Sequence, residues 1–230
     1  MENNGQQNKI FETVLKKAKL KQDIFEKTYE ALNLFKNVSL EVITDFKSQL
    51  PVDEKRVSFE YRDKSNFEFE MKFAGDILIF MMHTNIFEFS RNHEIMRTNY
   101  IREDINRSYC GIINIYNFLA DSFKYNREND VGYLIGRVFI NFENHYYIEG
   151  KKELGLLYNN FASNELSKTS AKDILEKSIL YTSNFDLLTP PYDEVKEVTV
   201  FEVQSNLDYM RLKTGKRLGF KFQADMDNLT

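Results

Sequence analysis

Tryptophan is absent, cysteine occurs once, and the chain of 230 residues holds only three prolines and nine glycines. Each scarcity excludes something. One cysteine, Cys110, rules out an intramolecular disulfide framework and suits a reducing compartment, so a cytoplasmic location is expected. Few glycines leave little material for phosphate-cradling loops. The longest apolar run, Ile77 to Met82, is far below the 18 or so residues of a membrane span, so no membrane is expected as a partner. The start, Met1 to Asn8, is polar and lacks an apolar h-region, so no signal peptide is expected. A net charge of −4 argues against a dedicated nucleic-acid coat, although nucleic-acid contact through a local basic patch stays compatible with it.

Apolar residues make up 42% and charged residues 29%, the composition of a globular chain rather than a disordered one. The length fits one domain. Twenty phenylalanines and thirteen tyrosines are a heavy aromatic load. Plentiful Lys, Asn, Ile, Phe and Tyr with little Gly and Pro is also what an AT-rich coding sequence gives, which discounts a functional reading of the rings.

Hydrophobic spacing divides the chain. Residues 1–8 read as a disordered tail, and 9–230 as a single α+β domain. Within it, 9–50 is a helical section, 56–150 a sheet, 151–185 helices, and 195–223 a closing pair of strands. Ile24, Phe25, Thr28, Tyr29, Leu32 and Phe35 share one helical face from Lys9 to about Lys36. Lys21 falls where a coiled-coil core position would need an apolar residue, which favours packing on a core. Ser39 is placed to cap a second, shorter helix that stops before Pro51. Val57–Tyr61 and Phe67–Phe73 alternate as a hairpin around the turn Arg62–Asn66. Ile77–Met82, Asn85–Phe89, Glu94–Ile101, Gly111–Leu119 and Tyr133–Phe142 read as further strands, with His145–Ile148 continuing or following the last. Asp121–Asp130 reads as a surface loop. A short helix is expected over Glu153–Phe161. Another begins at a capping box, Ser170–Asp173. Glu197–Val203 and Leu218–Phe222 form the closing strands. Strands that succeed one another without helical crossovers give a mainly antiparallel, meandering sheet and the α+β class.

No phosphate-binding loop, dinucleotide fingerprint, nucleophile elbow or H-E-x-x-H pair occurs, so no enzyme activity and no cofactor are assigned. The histidines His83, His93 and His145 are scattered. A metal would need two of them to converge with Glu88, Glu94 or Glu143, and no metal is expected. The lysines of the first helix, Lys16, Lys17, Lys19 and Lys21, could meet phosphates or simply line a solvated face.

Arginine is unevenly distributed. Six of ten lie between Arg91 and Arg137. Arg97, Arg102, Arg107, Arg127 and Arg137, with Tyr109, His145 and Tyr147, would make a ligand-binding sheet face for a nucleotide or other anionic small molecule if they converged, with rings to stack and guanidinium forks to hold charge. The commoner arrangement is salt bridging to carboxylates of the same stretch, such as Glu103, Glu128 and Asp130. Three functions are compatible with these features. The first is a non-catalytic binding or interaction module, using that face or the long helix as partner surface. The second is a metal-dependent nuclease or other phosphodiester-directed enzyme built on Asp193, Glu202 and Gln204, with glutamine where such sites carry lysine. The third is a structural subunit of a homo-oligomer, whose partner would be a second copy of the chain.

Overall fold

The computed structural model describes residues 2–150, 160–185, 189 and 191–200. Its architecture is α+β: a long N-terminal helix, a seven-stranded antiparallel sheet and further helices.

Helix α1 runs without a break over Glu2–Gln49. At 1.5 Å per residue it is about 72 Å long. It has no proline to break it, and Pro51 stands just past its end. The expected second helix is therefore the continuation of the first. Ser39 is fully buried between turns that carry Phe35, Val38, Val42 and Ile43, so it is a core position and not a cap. The helix also takes in all but the first residue of the polar stretch 1–8 expected to be a tail.

The strands are β1 (Phe59–Ser65), β2 (Glu68–Phe73), β3 (Asp76–Met82), β4 (Phe87–Glu88), β5 (Tyr109–Leu119), β6 (Tyr133–Ile140) and β7 (Tyr146–Gly150). The order is β1-β2-β3-β5-β6-β7, with β4 pairing the start of β5, and every pairing is antiparallel. Strand β1 reaches Ser65, so the first turn is tighter than Arg62–Asn66. Register puts Phe69, Met71, Leu78, Phe80, Ile113, Ile115, Val138 and Ile140 on one sheet face. This face carries the main core, closed by Leu32, Phe35, Val38 and Ile43 of α1 and by Ile174 and Leu175 of α4 (Lys168–Ser183). A bulge at Ile115/Tyr116 turns the extra residue, Ile135, into that core.

On the opposite face Ile77, Ile79 and Ala120 form a small buried cluster at one end, and a larger cover lies at the other. The stretch expected as a strand over Glu94–Ile101 is instead a 3₁₀ turn (Glu94–Arg97) followed by α2 (Asn99–Glu103). Local capping decides this. His93 accepts from the amide of Ile95, and Thr98 accepts from that of Ile101, so the backbone is satisfied by side chains rather than by a neighbouring strand. Ile95, Tyr100 and Ile101 then pack with Phe89, Cys110, Ile112, Phe139, Tyr147 and Phe161 in a second core.

Other boundaries move. The expected loop Asp121–Asp130 opens with α3 (Ala120–Lys124). The capping box of α4 lies three residues earlier than expected, with Ser167 and Ser170 bonding reciprocally. The helix expected over Glu153–Phe161 lies outside the described residues except at Asn160 and Phe161, which stand in irregular chain and a turn. Of the expected closing strands, Glu197–Thr199 is without regular structure, and the remainder beyond Val200 lies outside the described residues. A short α5 (Tyr192–Val195) precedes them.

Candidate functional site

The arginine- and tyrosine-rich stretch resolves into separate networks. Tyr100 from α2 donates to Glu143 (2.5 Å) and accepts from Asn141 (2.7 Å). Arg107 donates to the same carboxylate through Nε and Nη2 (3.1 and 3.0 Å), reaches Glu103 (3.3 Å), and lies over the Tyr100 ring at 4.4 Å. The His145 ring stacks on Tyr100, and its Nδ1 donates to the carbonyl of Phe161 (3.1 Å). Burial would push the Glu143 carboxyl up, but donation from Tyr100 and Arg107 outweighs it and holds the group below the usual range. Burial, with the charge of Glu143, pushes the Tyr100 hydroxyl up.

A second network joins β6 and β7 to the 3₁₀ turn. Arg137 pairs with Glu149, its partner in the strand register. Nδ1 of His93 accepts from the Ile95 amide, which leaves Nε2 to donate to Glu149 (3.3 Å). The Tyr147 hydroxyl donates to Glu94 (3.1 Å), and burial first, then that carboxylate, pushes it up to about 12.

The remaining candidates stand elsewhere. Arg127 pairs with Asp130 at 2.9 Å, both side chains nearly buried. Tyr109 accepts from Lys17 of α1 (2.6 Å). Arg97 and Arg102 are exposed. The fold therefore joins Arg107 to His145 through Tyr100, and Arg137 to Tyr147 through the network around Glu149. It does not bring the eight residues to one pocket. Asp193 is exposed and pairs with Lys196 (2.9 Å), while Glu202 and Gln204 lie outside the described residues. Cys110 is buried, and burial pushes its thiol up, away from the reactive thiolate. Among the described residues no group of three or more His, Cys, Asp or Glu is placed to hold a metal ion. None of their helices is long and apolar enough to cross a membrane.

A different surface stands out. Every side chain of α1 from Gln6 to Lys19 is exposed, and the first fully buried one is Ile24. The free end carries Ile10, Phe11, Val14 and Leu15, which are 57%, 66%, 61% and 40% exposed. At its base a groove of about 710 Å³ opens between Lys21, Gln22, Phe25 and Glu26 of α1 and the Thr84–Phe87 link. None of the eight arginine, tyrosine and histidine candidates lines it. Sequence periodicity found the helix but not this surface, because spacing alone does not tell an apolar face that meets a sheet from one that runs past it. The signal present in the sequence was the change of flanking residues, from lysine-rich before Lys21 to mixed charge after it.

No protein-family model, no curated protein and no solved structure matches the chain.

Proposed function

We propose that the protein is a non-catalytic interaction module that engages a partner through the projecting end of α1 and the groove at its base. The observation that carries this reading is the exposure of Ile10, Phe11, Val14 and Leu15 together on a helix that has left its own sheet. Scattered surface apolar groups are ordinary, but a contiguous apolar stripe rimmed by charge is the mark of a contact surface. The anion-pocket reading has less behind it, since Arg107, Arg127 and Arg137 already meet carboxylates of their own chain.

The double substitution Phe11→Ser with Leu15→Ser tests this. The expected variant melts within about 2 °C of the wild type, because the stripe adds nothing to the chain's own core. It loses whatever assembly the wild type forms, as measured by sedimentation. A melting temperature lower by more than about 5 °C would place the stripe in the protein's own fold and overturn the reading.

A further inference from the structure

The identity of the partner rests on the reading of α1 as a contact surface, which by itself leaves the occupant open. At about 100° per residue, Phe11, Val14, Leu15 and Ala18 fall in an arc of about 100° on one side of the helix. The buried side, set by Ile24, Thr28, Leu32 and Phe35, lies about a quarter turn away. Phe11, Leu15 and Ala18 thus lie beside the core face, while Ile10 and Val14, in line with Thr28 and Leu32, continue it beyond the sheet. Lys21, Gln22, Phe25 and Glu26, which wall the groove, lie on the same side as the stripe. Stripe and groove form one continuous track.

We propose that this track takes the same helix of a second copy, running antiparallel about a two-fold axis that passes between Val14 and Leu15. The helix is complementary to itself in that register. Phe11 meets the partner's Ala18, large against small, and Val14 meets the partner's Leu15. Glu12, the one acidic residue between Gln6 and Lys21, comes beside the partner's Lys19, and the symmetry repeats the pair. No lysine stands level with a lysine: Lys9, Lys16, Lys17, Lys19 and Lys21 stand level with Leu20, Thr13, Glu12, Ile10 and Asn8 of the partner subunit. Lys17 lies on the flank away from Glu12, which leaves Lys19 as the neighbour of that carboxylate. Lys9 and Lys16 turn to the solvent side, and Lys17 keeps its bond to Tyr109. Gln6 and Gln7 reach the partner's groove, whose wall is itself largely polar through Lys21, Gln22, Glu26, Thr84 and Asn85. One contact therefore accounts for both the bare apolar stripe and the open groove.

Charge reversal on the full chain tests the register, read by sedimentation equilibrium with wild type, Glu12→Lys, Lys19→Glu and the double reversal. Both sites are exposed, so the variants fold. In a symmetric dimer each single reversal turns two attractive pairs repulsive and weakens association roughly ten- to thirtyfold. The double reversal returns the dissociation constant to within a few-fold of wild type. A wild type that stays monomeric at every concentration reached overturns the proposal, and so does a double reversal no tighter than the singles. The same proteins are spun with vesicles containing phosphatidylserine. A monomer that binds them, more tightly as Glu12→Lys and less tightly as Lys19→Glu, would make the lysine-rich helix a membrane-surface element and overturn the dimer. If Phe11→Ser with Leu15→Ser keeps its melting temperature while these tests fail, only the partner assignment falls. If it melts low, the contact-surface reading falls first.

Discussion

Tyr100, Asn141, Glu143 and Arg107 close a chain of hydrogen bonds that fastens the helical excursion after β4 to the turn between β6 and β7. Asn141 is fully buried, and its side-chain oxygen also accepts from the amides of Glu143 and His145, so the turn and the network are set by the same residue. Replacing Glu143 by Gln leaves Tyr100 and Arg107 with a weaker acceptor, and a loss of about 1–3 kcal/mol is expected. The pH dependence is set by the sign of the shift. The folded carboxyl titrates below its usual value of 4.5, so its contribution is present above that value and fades as pH falls through the lower folded one. Urea unfolding of wild type and Glu143→Gln should therefore differ most at neutral pH and converge in acid. Sequence pointed to Arg107 and His145 and to carboxylates as their rival partners, but not to Tyr100 as the link. Which carboxylate each arginine would find was not legible, because Glu143 lies 36 positions from Arg107 and only the register of the sheet brings them together.

At the scale of elements, the packing of α1 on the sheet depends on one close approach. A Cβ added at Gly111 would lie 2.0 Å from Oγ1 of Thr28, a fully buried side chain that donates to the carbonyl of Ile24. Gly111→Ala must push helix and strand apart, and a cost of about 1–3 kcal/mol is expected. Adding Thr28→Ala removes the hydroxyl and a methyl from the same space. The double variant should recover part of the loss, which a double-mutant cycle in urea would report as coupling. A second tie is Lys36, nearly buried, whose ammonium donates to Asp63 and to the carbonyl of Ser65, both at 2.7 Å. Strands β1 and β2 were legible because alternation is a strong local signal, and β3 because a short apolar run bounded by turn residues reads as a buried strand. The segment over Glu94–Ile101 was not, since its Ile95, Tyr100 and Ile101 are apolar in either conformation and its side-chain caps decide the outcome. Ser39 misled for a related reason: serine suits a cap, yet here it is enclosed by the core.

For the molecule as a whole, α1 has two unlike halves. From Ile24 to Ile43 it is gripped by the sheet, and from Gln6 to Lys19 its side chains are exposed, with Lys17 alone reaching back to Tyr109 of β5 among the contacts described. Amides in the gripped half should exchange with solvent as slowly as those of β3 and β5, while those before Leu20 exchange faster by orders of magnitude at dilution. Hydrogen exchange read by mass spectrometry checks this. Uniform protection along α1 in the dilute monomer would contradict it. The same measurement at high concentration reports whether the free half becomes covered.

The two sides of the sheet end differently from its faces. At one side, residues 164–166 bond to the turn before β7 and to its first residue, which occupies part of that ladder. At the other, β1 carries Glu60, Arg62, Asp63 and Lys64 in succession around a register shift between Asp63 and Ser65. A bulged, charged border is a poor template for a foreign strand. Growth by strand addition, the route from open sheets to fibrils, is therefore disfavoured along β1 and at the start of β7.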